Sequence, residues 1–93
     1  MAFSFDLSDC FREILEKLTK KDPQRAELIY KKIRQITESS DEGIDHYKNL
    51  RRDLSDYKRV HIDKSFVLIF KVFKKEKHLL FARFDHHDKI YKK

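Results

Sequence analysis

Residues 57–84 read YKRVHI-DKS-FVLIFKVF-KKEK-HLLFARF, and this stretch decides the fold. Short polar segments separate runs of residues whose apolar pattern is typical of β-strands rather than helices. The pattern predicts strands over 57–62, 66–73 and 78–84, with the second one central in a sheet because it is apolar almost throughout. Since the polar segments are short, we expect antiparallel hairpins between these strands.

The residues before this stretch have the period of helices instead. A short strand is expected over residues 2–6, and Ser8 is expected to cap a helix that ends at Lys20-Lys21. Asp22-Pro23 then begins a second helix, because proline is well tolerated at the first helical position. The helices carry the apolar stripes Leu7, Phe11, Ile14, Leu15 and Leu18, and Ala26, Ile29, Tyr30, Ile33 and Ile36. Because almost nothing joins the helices, we predict an antiparallel helical hairpin.

These elements predict one α+β domain over residues 1–93, because a chain of this length supports a single core. A break at residues 39–43 separates the helices from the later strands. The predicted order is βααβββ, with the N-terminal helical hairpin packed on one face of a small, mainly antiparallel sheet. The phenylalanines of the strands are interpreted as mainly core rather than as platforms for stacking bases: Phe66, Phe70, Phe73, Phe81 and Phe84.

The net charge of +6 favours an acidic partner, such as nucleic acid, an acidic protein segment or an anionic membrane. The membrane is the weakest of these, because no apolar run approaches the length of a spanning helix. The first residues lack the pattern of a signal peptide, so we expect a cytoplasmic protein. A single cysteine, Cys10, excludes an internal disulfide and a cysteine-based zinc site.

Strand parity selects the candidate functional residues. Arg83 and His87 share one face of the last strand if it stays extended that far, and Arg59 and His61 share one face of their own strand. If both sets lie on the sheet face away from the helices, they form a basic surface that contains histidines. The lysines and arginines expected at its rim are Lys58, Lys64, Arg51, Arg52, Lys89, Lys92 and Lys93.

The run Asp85-His86-His87-Asp88 raises the alternative of a metal site, since imidazole and carboxylate suit transition metals. Adjacent residues of an extended chain point to opposite faces, however, so His86 and His87 are poorly placed to share one ion. We therefore expect no metal and no cofactor.

Several of these segments carry a family resemblance. Tyr57-Lys58-Arg59-Val60-His61-Ile62, Leu68-Ile69-Phe70-Lys71-Val72 and the ending Phe84-Asp85-His86-His87-Asp88-Lys89-Ile90-Tyr91 resemble the C-terminal half of RelE/ParE toxins. The closest likeness is to the YafQ-like branch, which has a Tyr-x-x-x-His-Ile strand and a final His-x-x-x-Phe/Tyr. Because the two-helix N-terminal half fits the same fold, the resemblance covers nearly the whole chain.

The resemblance implies the toxin of a type II toxin–antitoxin system, inhibited by a cognate antitoxin. It implies a metal-independent, ribosome-dependent endoribonuclease whose partners are mRNA in the ribosomal A site and the 16S-type rRNA surface. In such enzymes the 2′-hydroxyl of the RNA attacks its adjacent phosphate, which restricts cleavage to RNA. A protein base takes the 2′ proton, cations hold the developing charge, and an acid protonates the leaving 5′-oxygen.

Carried over by position, the resemblance implies that His61 is the general base, His87 the general acid and Tyr91 the aromatic residue that stacks on a base. Histidine titrates near neutral pH and so suits both proton-transfer roles. The cations expected to hold the phosphate and its developing charge are Arg83, Lys58 and Arg59, and the further residues expected to bind RNA are Lys64, His86 and Lys89.

The sequence departs from the family pattern at two positions. Ser65 stands where the branch has a carboxylate, and the sequence leaves open whether the nearby Asp63 substitutes for it. Val67 stands where other branches have an arginine. His46 lies near an upstream family histidine, but its spacing differs by two. Two alternatives therefore stay open: a ParE-like inhibitor that binds DNA gyrase without catalysis, and a decayed toxin that acts only as a co-repressor with its antitoxin.

Overall fold

The computed structural model describes residues 3–50 and 56–90, which form two longer helices, two short ones and a five-stranded sheet. The elements in chain order are β1 (Ser4–Leu7), α1 (Asp9–Lys21), α2 (Pro23–Thr37), α3 (Asp41–Asp45), β2 (Lys48–Asn49), β3 (Tyr57–Ile62), β4 (Phe66–Phe73), β5 (His78–His86) and α4 (His87–Ile90). The α+β class, the helical hairpin and the three strands predicted from residues 57–84 are confirmed.

The sheet has five strands in the order β1-β5-β4-β3-β2. Strands β2 to β5 pair with antiparallel neighbours, whereas β1 pairs in parallel with β5. The parallel pair joins the two ends of the chain, because Ser4 lies opposite His78 and Leu7 lies opposite Phe81. The central strand is β4, as its continuous apolar sequence predicts.

Side-chain hydroxyls and a carboxylate fix where the helices begin. The Ser8 hydroxyl accepts a hydrogen bond from the Phe11 amide at 3.1 Å and donates one to the Ala82 carbonyl of β5 at 2.7 Å. Asp22 accepts from the Arg25 amide at 3.2 Å, with Pro23 at the first position of α2. These caps satisfy amides that the helices leave unpaired and attach α1 to the sheet.

The main core lies between the helical hairpin and one face of the sheet. Its fully buried side chains include Phe11 and Ile29 from the helices and Leu68, Phe70 and Phe81 from the strands. Burial of this apolar surface is the dominant favourable term in folding, and it fixes which face of each strand points inward. The opposite face of the sheet, called the open face below, carries the smaller cluster of Leu50, Val67 and Ile69 with Tyr57 packed against it.

A register shift between Ile69 and Phe70 marks a bulge in the β4–β5 ladder. Ile69 pairs with Arg83 and Phe70 pairs with Phe81, so Ala82 is the extra residue of β5. An extra residue changes strand parity. Phe81 and Phe84 therefore both reach the core although they are three residues apart.

Three elements were not predicted: the short helices α3 and α4 and the two-residue strand β2. The break expected at residues 39–43 separates α2 from α3, whose first turn is capped by the Ser40 hydroxyl through the Gly43 amide at 2.9 Å. The interpretation of Phe73 as core is wrong: its strand position places it on the open face, whereas Phe66 and Phe70 pack on the helix side. Within residues 3–50 and 56–90, no helix has the length and apolar character needed to cross a bilayer.

Candidate functional site

The open face of the sheet brings together two of the predicted histidines. His61 lies near the end of β3, and His87 is the first residue after β5. Their rings lie 6.0 Å apart between centroids, with an interplanar angle of 30°. Both side chains are exposed, so the pair forms an accessible imidazole site at one end of the open face.

The β3–β4 turn holds the backbone of His87 in place. The His87 amide donates a hydrogen bond of 2.7 Å to the carbonyl of Ser65, the last residue of that turn. Asp63 adopts a positive φ of 59° in the same turn, a conformation that aspartate tolerates better than most residues. Arg25 of α2 binds the Asp63 carboxylate at 3.4 Å and so ties the turn to the helical layer. The Asp63 carboxylate is therefore directed toward α2 in this structure.

Two arginines lie beside the histidine pair on the open face. Arg59 lies opposite Ile69 on β4, and Ile69 lies opposite Arg83 on β5, so the three residues form one row across the sheet. The adjacent row contains His61, Val67 and Asp85. The rows place Arg59 one same-face step along β3 from His61, and Arg83 one such step along β5 from Asp85.

Two carboxylates, those of Asp85 and Asp88, lie where β5 ends and α4 begins. Asp85 accepts from Arg83 at 3.3 Å and from the His86 amide at 2.7 Å. Asp88 lies 3.4 Å from Nδ1 of His87 and 3.8 Å from Nδ1 of His86. The sequence analysis names Asp88 only as part of a possible metal site and does not predict this contact with His87. Asp88 directly follows His87, and that adjacency was the available signal.

His86 lies on the opposite side of β5 from His87, as strand parity predicts. Its ring meets the Phe66 ring edge-on at 5.5 Å, and its Nδ1 accepts a hydrogen bond from the Asp88 amide at 3.2 Å. Phe66 in turn stacks on Phe84 at 5.2 Å and lies under the Arg25 guanidinium at 4.3 Å. His86 therefore packs at the edge of the helix side and is not brought to the histidine pair.

Lys58 also lies apart from the site. Its side chain is buried on the helix side of β3, where its ammonium donates to the Tyr47 carbonyl at 3.0 Å and to the Asn49 side chain at 3.1 Å. The expectation that Lys58 lies at the rim of the basic surface is wrong. Its sequence neighbour Arg59 occupies the open face instead, because adjacent strand residues alternate between faces.

The remaining predicted residues lie near the histidine end or outside the described part of the chain. Lys64 is exposed in the β3–β4 turn and Lys89 is exposed in α4. Tyr91 and the rim candidates Arg51, Arg52, Lys92 and Lys93 lie outside the described residues. Across residues 3–50 and 56–90, no three histidine, cysteine, aspartate or glutamate side chains are grouped so that they could hold a metal ion.

The arrangement suits acid–base chemistry on an anionic substrate. An imidazole can accept or donate a proton, so two accessible imidazoles can serve as a general base and a general acid. The neighbouring guanidiniums of Arg59 and Arg83 can bind phosphate oxygens through several donors. A phosphodiester placed between the histidines would therefore have a base, an acid and two cations within one small area of the open face.

Comparison with known proteins gives concordant matches over nearly the whole chain. The family model for the ParE toxin of the type II toxin–antitoxin system parDE matches residues 6–91. The sequence is 47% identical over 91 residues to a protein provisionally named toxin RelE4 from Methanocaldococcus jannaschii, and the match covers 98% of this chain and 93% of that protein.

Three solved structures share the fold at low sequence identity. The YoeB/ParE toxin from Agrobacterium tumefaciens matches with a TM-score of 0.77 and 17% identity, covering 90% of this chain and 98% of that one. YafQ from Escherichia coli matches with a TM-score of 0.65 and 16% identity, covering 96% and 98%. The RelBE2 toxin–antitoxin complex of Mycobacterium tuberculosis contains a chain that matches with a TM-score of 0.62 and 18% identity, covering 94% and 100%.

Proposed function

We propose that this chain, which belongs to the ParE toxin family of type II toxin–antitoxin systems, is a metal-independent endoribonuclease that cleaves mRNA on the ribosome. The observation that carries the proposal is the pair of accessible imidazoles, His61 and His87, with ring centroids 6.0 Å apart. A toxin that acts only by binding needs no such pair. RNA cleavage by its own 2′-hydroxyl needs one proton acceptor and one proton donor at the same phosphate.

In the proposed reaction His61 takes the proton of the 2′-hydroxyl, whose oxygen then attacks the adjacent phosphorus. The bond from phosphorus to the 5′-oxygen breaks, and His87 donates a proton to that leaving oxygen. The products are a 2′,3′-cyclic phosphate and a free 5′-hydroxyl. Arg59 and Arg83 stabilise the charge that develops on the phosphate oxygens, because electrostatic stabilisation is often the largest contribution to catalysis.

Asp88 supports the assignment of His87 as the acid. Its carboxylate lies 3.4 Å from Nδ1 of His87. A carboxylate beside one ring nitrogen orients the imidazole. Asp88 would thereby supply the function of the carboxylate that the family pattern places at Ser65. Tyr91 remains a prediction as the base-stacking residue.

The proposed partners follow from the same assignment. The chain is proposed to bind a cognate antitoxin, as the toxin of the RelBE2 complex does in its structure. The substrate is proposed to be mRNA in the ribosomal A site, with 16S-type rRNA next to the toxin. A net charge of +6 supports association with both an acidic protein segment and RNA.

The test is expression of the wild type and of three histidine variants, with primer extension on cellular mRNA. We expect codon-positioned cuts from the wild type, and loss of these cuts in His61→Ala and His87→Ala. His86→Ala is the matched control, because its ring packs against Phe66 on the other side of β5, and it should keep the cuts. Cuts that persist in His87→Ala would overturn the assignment.

A second candidate function is favoured by the ParE family match itself. In it, the toxin binds DNA gyrase and inhibits it without catalysis. Growth arrest that persists in His61→Ala and His87→Ala, without any cut in mRNA, would support this function. A third outcome, repression of a toxin–antitoxin promoter without growth arrest by the wild type, would support the decayed toxin that acts only as a co-repressor.

A further inference from the structure

The open face carries a second cluster, at the end of the sheet away from the histidine pair. Tyr57 lies opposite Lys71, and Phe73 lies two residues further along β4 on the same face. The Lys71 ammonium lies 5.6 Å from the centroid of the Tyr57 ring and 5.2 Å from that of the Phe73 ring. All three side chains are partly exposed. The cluster is therefore an accessible cation between two aromatic rings.

We propose that Tyr57, Lys71 and Phe73 form a second nucleotide subsite, which binds single-stranded RNA on one side of the cleaved phosphate. The proposal rests on the proposed function, since it extends the same substrate path. Aromatic side chains on a positively charged surface bind single strands without sequence preference, because every base has a face that can stack.

A few further nucleotides can span the distance along the sheet between the two clusters. The row of His61 and Val67 is four residues away from the row of Tyr57 and Lys71, which corresponds to about 13 Å along the strands. Bases stacked in one strand of a duplex are about 3.4 Å apart, and an extended strand is longer. RNA held at the histidines therefore reaches the ring cluster after about four stacked nucleotides, or after fewer when the strand is extended.

Two arginines lie between the two clusters. Arg59 and Arg83 flank Ile69 across the sheet, and the side chains of Ile69 and Val67 themselves are buried. A phosphate backbone that follows the row of cations is electrostatically complementary to this face. In the free protein the ammonium of Lys71 covers the rings; a stacked base would take its place, and the ammonium would pair with a phosphate instead.

The test is the affinity of the full-length protein for a labelled 2′-O-methyl oligouridine, measured by fluorescence anisotropy at several salt concentrations. This probe lacks the attacking hydroxyl and stays intact during the measurement. Tyr57→Leu keeps the apolar packing against Leu50 and should raise the dissociation constant about fivefold or more, because one stacked base is lost. Tyr30→Leu is the matched control, since Tyr30 is exposed on α2 in the helical layer, and its affinity should equal that of the wild type.

The lysine has its own readout. Lys71→Gln should reduce the slope of the logarithm of affinity against the logarithm of salt concentration by about 0.7, the value for one phosphate contact on a single strand. Lys75→Gln, at an exposed position of the β4–β5 turn, should leave the slope unchanged. Tyr57→Phe keeps the ring and should restore the affinity, which separates loss of stacking from loss of folding.

Equal affinity of Tyr57→Leu and Tyr30→Leu for the oligouridine would overturn the subsite, and so would a wild type that does not bind it. Loss of antitoxin binding in Tyr57→Leu, with RNA affinity unchanged, would also overturn it and assign the cluster to the protein partner. The cleavage assay decides the proposed function separately. If the wild type cleaves mRNA while Tyr57→Leu binds RNA with normal affinity, only the proposed subsite is overturned. If the wild type binds RNA through Tyr57 without cleaving it, only the proposed ribonuclease function is overturned.

Discussion

At the scale of single residues, strand parity decides which charged side chains meet. It correctly separates His86 from His87, because β5 remains extended up to His86 and the two rings fall on opposite sides. Parity also contradicts the inclusion of Lys58, which alternates with Arg59 along β3. The alternation of side chains along β3 was therefore sufficient to exclude Lys58 from the open face, whereas its positive charge alone was misleading.

Lys58 and Arg83 should respond differently to the same substitution. Lys58→Met removes the hydrogen bonds that the ammonium donates to the Tyr47 carbonyl and the Asn49 side chain, and we expect a loss of about 1–3 kcal/mol in the free energy of unfolding. Arg83→Met removes an exposed ion pair with Asp85 that contributes at most about 1 kcal/mol.

Their effects on cleavage should be reversed. Arg83→Met should slow mRNA cleavage about tenfold or more, because a cation near the phosphate is lost. Lys58→Met should retain the wild-type rate wherever it is folded. Urea unfolding and single-turnover cleavage on the same samples measure both effects. A folded Lys58→Met that has lost its activity would place Lys58 in the site after all.

At the scale of elements, α1 depends on one serine for both its start and its attachment to the sheet. Ser8→Ala removes the cap at the Phe11 amide and the bond to the Ala82 carbonyl, so we expect the free energy of unfolding to fall by about 1–2 kcal/mol. Ser39→Ala is the matched control, because the Ser39 hydroxyl donates to the Gln35 carbonyl only one turn away along the chain. Equal effects of the two variants in urea unfolding would contradict the role of Ser8.

The helix α3 was missed because it is too short to show a period in the sequence. It is attached to the β4–β5 turn by two ion pairs, Lys74 with Asp45 at 2.6 Å and Lys77 with Asp41 at 2.9 Å. Such long-range pairs are not visible in a sequence. The same holds for the parallel pairing of β1 with β5, which joins residues more than seventy positions apart.

The Lys74–Asp45 pair makes part of the stability depend on pH. The hydrogen bond from Lys74 holds the pKa of the Asp45 carboxyl below its ordinary value. A carboxyl with a lowered pKa in the folded state stabilises the fold above its unfolded pKa, and this contribution disappears as the pH falls through the lowered pKa. Asp45→Asn should therefore be less stable than the wild type at neutral pH and equally stable in acid.

The measurement is urea unfolding of the wild type and Asp45→Asn at neutral and acidic pH. High salt should reduce the difference at neutral pH, because both side chains of the pair are half exposed and are screened. Asp56→Asn serves as the control at an exposed carboxylate. A difference that stays constant with pH would contradict the assignment.

At the scale of the whole molecule, one core holds the helical layer on the sheet. Phe11 of α1 is fully buried, whereas Phe5 of the edge strand β1 is 46% exposed. Phe11→Ala should lower the free energy of unfolding by about 3–5 kcal/mol. Phe5→Ala should cost about 1 kcal/mol through its edge-on contact with Phe81. Calorimetry with both variants checks this, and equal losses would place the core elsewhere.

The architecture of the molecule was predictable because its apolar periodicities are clear and its strands are adjacent in sequence. The two faces of the sheet were predictable to the same extent, since burial of Leu68 and Phe70 forces Arg59 and His61 to the other side. The bulge at Ala82 was not predictable, because it arises from the packing of both Phe81 and Phe84 into one core. The composition of the open face beyond the histidines also required the structure.

The central claim is that the RNA's own 2′-hydroxyl is the nucleophile, that His61 takes its proton, and that His87 protonates the leaving 5′-oxygen. The most direct measurement places a single 2′-deoxynucleotide immediately 5′ to the cleaved phosphate of an mRNA in a ribosome complex. The account predicts that this cut disappears while cuts at neighbouring unmodified positions persist, and that the wild-type products carry a 2′,3′-cyclic phosphate and a 5′-hydroxyl. Cleavage at the unchanged rate next to the deoxynucleotide would contradict it.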